Sequence, residues 1–149
     1  MKKIITLLFL ISTYLSFSQS KSIDSVKEKI TEISSEYKSY DILKCQSIQA
    51  TLLYKNPETY SFILGKIKHK EFQTFKYKSD KGSILYFEFD ENTEKAKGFI
   101  EGLLWGGDKP TKSHPEKIII NNKLMIVVSF PLKSKIRKEI LKTLHKISS

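Results

Sequence analysis

The chain has 149 residues, 26 basic and 16 acidic side chains, a formal net charge of +10 and a single cysteine. One cysteine excludes an internal disulfide, so an apolar core must stabilise the domain. Cys45 is interpreted as a small buried hydrophobic residue, because no histidine lies near it in sequence to activate a catalytic thiol. An intermolecular disulfide at Cys45 stays open.

The positive charge comes almost entirely from lysine. The chain has 25 lysines and one arginine, Arg137. Arginine is the residue that recognises phosphate and guanine through paired hydrogen bonds, so we expect no sequence-specific nucleic-acid partner. Isoleucine occurs 19 times and alanine twice. Codons rich in A and T explain this bias, and much of the charge, without any anion-binding role.

Residues 1–18 have the pattern of a secretory signal peptide. Lys2 and Lys3 precede an apolar run that is shorter than the roughly 20 residues needed to span a bilayer. Ser16 and Ser18 occupy the small-residue positions before a cleavage site at Ser18–Gln19. The sequence therefore predicts a secreted or periplasmic protein whose mature domain is residues 19–149. Loss of the two signal lysines leaves its net charge at +8.

The first half of the mature chain begins with a predicted amphipathic helix. Its apolar positions recur at helical spacing: Ile23, Val26, Ile30, Ile33 and Tyr37. Residues 41–55 fit both a helix and a strand, and the alternation from Ile48 to Tyr54 favours a strand. Asn56 and Pro57 then predict a short helix that ends at Gly65, with residues 61–64 packed inward.

Two strand–strand–helix units follow. The first has strands at 66–78 and 83–90, a turn at 79–82, and a helix that Asp90–Asn92 caps and Gly106–Gly107 ends. Residues 106–116 form a loop. The second unit has strands on either side of Asn121–Asn122, then a helix from Ser134. That helix has an apolar stripe: Ile136, Ile140, Leu144 and Ile147.

The sequence therefore predicts an α+β domain. Its C-terminal two thirds has the order ββαββα, an antiparallel sheet carries the helices, and an N-terminal amphipathic helix precedes it. Residues 84–89 and 124–130 are almost continuously apolar, which is typical of central strands covered on both faces. We expect the helices at 92–105 and 134–147 to cover one face, and the N-terminal helix or a second copy of the chain to cover the other.

No motif in the chain predicts catalysis, a cofactor or a metal site. His69, His114 and His145 lack metal-ligand spacing, and the glycines do not form a phosphate-binding loop. The surface around the loop at 105–115 is the predicted binding site, with Trp105, Asp108 and His114 as its residues, because tryptophan is a common anchor in interfaces.

Three functions follow from these observations. The favoured one is a non-enzymatic binding module whose partner is a protein or a small apolar ligand, with homodimerisation left open. The second is a small hydrolase that uses His114 with Asp108 or Glu116. The third is a basic protein that binds an anionic membrane or polymer through its C-terminal helix. Membrane contact is not favoured, because we expect the apolar stripe of that helix to pack on the sheet.

Overall fold

The structure, a computed structural model, describes residues 22–148, so the predicted signal peptide lies outside the described residues. The α+β prediction is confirmed: the described part holds one antiparallel sheet with the strand order β1-β2-β3-β5-β4. The strands are β1 (Lys38–Ser39), β2 (Ile67–Tyr77), β3 (Asp80–Phe89), β4 (Lys117–Asn121) and β5 (Leu124–Ser129). The helices are α1 (Ile23–Ile33), α2 (Ile48–Lys55), α3 (Ser61–Leu64), α4 (Lys97–Trp105) and α5 (Lys135–Ser148). Short 3-10 turns, Pro57–Tyr60 and Glu94–Ala96, precede α3 and α4.

The β2–β3 hairpin is confirmed, but its predicted turn at 79–82 is wrong. Tyr77 pairs with Asp80, so only Lys78 and Ser79 form the turn, and Lys78 adopts a φ of 54°. Gly82 lies inside β3. A Cβ atom there would stand 2.5 Å from the Phe130 ring, so the glycine makes room for that ring rather than for a turn.

The β4–β5 hairpin is also confirmed, with its turn one residue later than predicted. Asn121 pairs with Leu124, which leaves Asn122 and Lys123 in the turn. Asn122 has a φ of 55°. Asparagine tolerates this left-handed conformation better than most residues, so the Asn-Asn signal was sound and only its register was ambiguous.

The two central strands are covered on both faces, as their apolar sequences predict. Alternate residues of β3 enter different core clusters: Ile84 and Tyr86 on one face, Leu85 and Phe87 on the other. Strand β5 divides in the same way. The side chains of both strands are therefore sorted by parity between two helix layers.

The helices at 92–105 and 134–147 do not share a face, so that expectation is wrong. Helix α5 packs with α1 against one face, and α4 packs with α2 and α3 against the other. The side chain that ends the apolar run before each helix points to the face that the helix covers. Phe89 enters the core on the α4 side, whereas Phe130, just after β5, enters the core on the α5 side.

Residues 41–55 do not form a strand, which corrects another expectation. Residues 48–55 form helix α2, and the Ser47 side chain caps it by accepting a hydrogen bond from the Ala50 N–H at 3.2 Å. The alternation that favoured a strand was misleading because Ile48 and Leu52 are both exposed, while Ala50 and Leu53 are buried. Burial here has helical spacing.

Candidate functional site

Trp105 closes the loop that follows α4. It is the last residue of that helix, and its indole N–H donates to the Glu116 carbonyl oxygen at 2.7 Å. Its ring packs half-buried against the core on the α4 side. The indole N–H therefore serves an internal contact that joins the two ends of the 106–116 segment.

Asp108 and His114 lie in the same loop but make different contacts. Asp108 is exposed, and His114 is half-buried. The His114 backbone is paired with Thr111, whose N–H donates to the His114 carbonyl oxygen at 3.0 Å. Within residues 22–148, no hydrogen bond joins the imidazole to Asp108 or Glu116, and the buried Nδ1 has no hydrogen-bond partner.

Glu116 has a role that the sequence did not reveal. Its side chain is fully buried, and Oε1 accepts hydrogen bonds from the Ser47 N–H at 3.0 Å and from the Ser129 hydroxyl at 2.8 Å. The Gln46 N–H donates to the same hydroxyl at 2.7 Å. The carboxylate thus fixes the start of α2 to the end of β5. The only signal in sequence was an acid between a buried proline and an apolar strand.

The chain's one arginine is also internal. Arg137 donates from Nη2 to the Pro115 carbonyl oxygen at 3.1 Å. Burial lowers the pKa of its guanidinium, and the nearby charge of Glu116 opposes that change. Arg137 thus supports the segment that carries Glu116.

Cys45 fits the interpretation of a structural residue. The Ser83 hydroxyl donates to its sulfur at 3.4 Å, and the side chain packs against the core on the α4 side. Burial raises the pKa of the thiol. A thiol with a raised pKa holds less thiolate at neutral pH and is a poorer nucleophile.

The layer formed by α2, α3 and α4 carries large apolar side chains on its outer surface. We call these side chains the outer apolar face; they are Ile48 (75% exposed), Leu52 (49%), Phe62 (76%) and Phe99 (43%). The Phe99 ring contacts Phe62 edge-on, with centroids 5.8 Å apart, and lies 6.3 Å from Tyr60. Phe62 contradicts the prediction that residues 61–64 pack inward, since only Leu64 of α3 is buried.

A cleft of about 400 Å³ lies at the β2 edge of the sheet, between α1 and the chain that follows β1. Hydroxyl and amide groups line much of it, including Thr31, Ser35, Tyr40 and Gln73. The predicted residues Trp105, Asp108 and His114 are not part of its lining.

Among residues 22–148, no group of three or more histidine, cysteine or acidic side chains is placed to hold a metal ion. None of the helices in that range is both long enough and apolar enough to cross a bilayer. Comparisons of the chain with protein-family models, curated proteins and solved structures gave no significant match.

Proposed function

We propose that this protein is an exported, non-catalytic interaction module that binds a protein partner through the outer apolar face. The observation that carries the proposal is the exposure of Ile48, Leu52, Phe62 and Phe99 in one helix layer. Single exposed apolar residues are ordinary on soluble proteins, but a group of them on one surface is typical of an interaction site. Aromatic residues such as Phe62 and Phe99 are also enriched in interfaces.

The charge of the chain favours a partner of opposite sign. The net charge of the predicted mature chain is +8, whereas the charges of this helix layer itself balance: Lys55, Lys95 and Lys97 against Glu58, Glu94 and Glu101. Two copies of such a positively charged chain repel each other at long range, whereas a net-acidic protein with an apolar contact surface is attracted. The proposed partner is therefore an acidic protein rather than a second copy of the chain.

The other two functions draw less support from the structure. A hydrolase lacks an assembled acid–histidine pair at His114. Binding of an anionic membrane by α5 would require its apolar stripe to be free, but Ile136, Ile140 and Leu144 are buried in the core.

The first test uses a photo-crosslinking amino acid at position 62 in the native host, with position 142 on the opposite layer as the control. We expect position 62 to capture an acidic protein that position 142 does not capture. The recombinant partner then binds the purified wild-type domain, and Phe62→Ser with Phe99→Ser weakens binding at least tenfold, about 1.4 kcal/mol. Unchanged binding by this double variant would overturn the proposal.

Two controls separate the other occupants of this face. Sedimentation of the purified domain measures self-association, and flotation with anionic vesicles measures membrane binding. We expect a monomer that does not float with the vesicles. A dimer that Phe62→Ser dissociates, or vesicle binding that the same change abolishes, would assign the face to a second copy or to a membrane and reject the acidic partner.

A further inference from the structure

The outer edge of β2 is mostly unpaired. Strand β2 spans 11 residues, but β1 pairs only with Phe75 and Lys76. The Thr74 hydroxyl then accepts a hydrogen bond from the Tyr40 N–H at 3.3 Å and donates to the Tyr40 carbonyl oxygen, so this side chain, rather than the β2 backbone, pairs with the residue after β1. From Thr74 back to Ile67, no other described strand lies on this side of β2.

The open edge presents backbone groups in a regular pattern. In an antiparallel hairpin, hydrogen-bonded and non-hydrogen-bonded pairs alternate. Counted from the Tyr77–Asp80 pair that closes the two-residue turn, the N–H and carbonyl groups of Phe72 and Lys70 point away from β3 and toward the open edge. These are the groups that an additional strand would use.

The 400 Å³ cleft adjoins this part of the edge. Its lining includes Phe72, Gln73 and Thr74 of β2, with Ser35 and Asp41 on the opposite side. Ser35 and Asp41 are exposed and make no hydrogen bond to the rest of residues 22–148. The cleft therefore offers unused polar groups for the side chains of a bound strand, next to backbone groups that are also unused.

The charges at both ends of the edge are positive. Lys66 and Lys68 are exposed at one end, and Lys38, Lys76 and Lys78 are exposed at the other. Within the cleft lining, Lys27 is neutralised by its ion pair with Glu71, so Asp41 is the remaining charged side chain there, and the positive charge that favours an acidic peptide lies at the two ends of the edge. A second copy of this edge is opposed by like charge, and the irregularity between Ile67 and His69 interrupts regular pairing with another sheet.

We propose that the β2 edge binds an extended acidic peptide, which joins the sheet as an additional strand over Lys70–Thr74. Main-chain hydrogen bonds would supply affinity, and the flanking lysines would select acidic side chains. This site is separate from the outer apolar face, so either proposal can fail while the other holds.

The probe is an end-blocked peptide of alternating glutamate and valine, compared with a lysine–valine peptide of the same length. Amide chemical shifts of the labelled domain are followed during titration. We expect saturable shifts at Lys70, Phe72 and Thr74 with the acidic peptide and at least tenfold weaker binding of the basic one. No saturable shift, equal binding of both peptides, or shifts confined to Phe62 and Phe99 would overturn the proposal.

Two further comparisons test the binding mode. A bound strand directs only every second N–H toward β2, so N-methylation of one alternate set of peptide nitrogens should abolish binding while methylation of the other set leaves it. Equal effects of both sets would reject strand addition. In the protein, Lys66→Glu with Lys68→Glu should weaken binding of the acidic peptide at least tenfold, and Lys138→Glu with Lys142→Glu on α5 serves as the charge-matched control. Equal loss in the control would reject the local charge argument.

Discussion

The two helix layers of this domain expose different kinds of side chain to solvent. Helices α1 and α5 bury most of their apolar stripes, with Ile33 of α1 37% exposed, and they expose charged side chains, among them Glu28, Lys29, Lys138 and Lys142. The layer of α2, α3 and α4 buries Ala50, Leu53, Leu64, Ile100 and Leu104, yet it also exposes four large apolar side chains. The outer surface of the first layer is ordinary for a soluble protein, and that of the second is not.

The difference teaches that composition alone does not explain the surface. The chain has 25 lysines, and several of them lie on the exposed surface of α5. On the other helix layer, the exposed positions include Phe62 and Phe99. An exposed phenylalanine contributes little to the free energy of unfolding. Substitutions at these positions should therefore affect partner binding more than stability. Three predictions test this difference between the layers.

The largest expected effect compares one isoleucine from each layer. Ile140 of α5 is fully buried, and Ile48 of α2 is 75% exposed. Ile140→Ala should lower the free energy of unfolding by about 3 kcal/mol, because it removes buried methylenes and leaves a cavity. Ile48→Ala should change it by less than about 0.5 kcal/mol. Urea titration measures both, and similar losses would show that the outer apolar face is part of the stabilising core.

The next effect compares two glycines. Gly82→Ala should lower the free energy of unfolding by about 2 kcal/mol, because the new methyl group meets the Phe130 ring on the α5 side. Gly102→Ala in α4 should raise it by about 0.5 kcal/mol, since nothing lies within 4 Å and alanine favours helix. Thermal unfolding of both variants gives the signs. A destabilised Gly102→Ala variant would mean that the surface of α4 at Gly102 is covered by another part of the protein or by a second copy of it.

The smallest effect is a pH dependence on the α1 side. Burial, together with the hydrogen bond to Asp80, raises the pKa of Tyr37 to about 12 from 10.0. The folded state then holds this proton more tightly than the unfolded state. Its contribution to stability is fully present below pH 10 and is lost as the pH rises through 12.

Unfolding in urea at a series of alkaline pH values measures this loss. Tyr37→Phe should make it smaller, and Tyr60→Phe, which lies on the α4 side of the sheet, is the matched control. An unchanged alkaline loss in Tyr37→Phe would place the dependence at other groups.

The sequence predicted the parts of the fold whose patterns are local. The strand pairs of both hairpins and helix α5 were predicted correctly, although both turns were misplaced, because apolar runs and helical spacing lie within a few residues of one another. Cap signals of the same local kind located the C-terminal end of α4, where Gly106 adopts a φ of 63°. These features need no knowledge of distant packing.

The predictions of secondary structure and helix placement failed where the conformation of a residue depends on a contact with a partner distant in sequence. Gly82 is a residue type typical of turns, but its lack of a side chain makes room for the ring of Phe130, which is distant in sequence. The alternation that begins at Ile48 suggested a strand because Ile48 was taken as buried, whereas its side chain is exposed. The faces of α4 and α5 depended on the parity of Phe89 and Phe130, which only the sheet register fixes.

The candidate site was less predictable than the fold. Trp105 was identified as an anchor, but its indole N–H is used inside the domain, and its loop stays a prediction as a binding surface. The outer apolar face was hidden because Phe99 and Leu103 extend the same apolar stripe as the buried Ile100 and Leu104. Periodicity shows the width of such a stripe but not which part of it the sheet covers.

The Glu116 carboxylate has a consequence for the order of folding. Its bond to the Ser47 N–H joins residues 69 positions apart, and Ser129 completes the same contact. Contacts of such long sequence separation form late, since a large loop must close first. The start of α2 therefore gains its anchor only after β4 and β5 have formed, so the part of the outer apolar face that α2 carries, Ile48 and Leu52, is ordered after the sheet. Pulsed hydrogen exchange during refolding should show slower protection of the Ala50 amide than of the Leu85 amide.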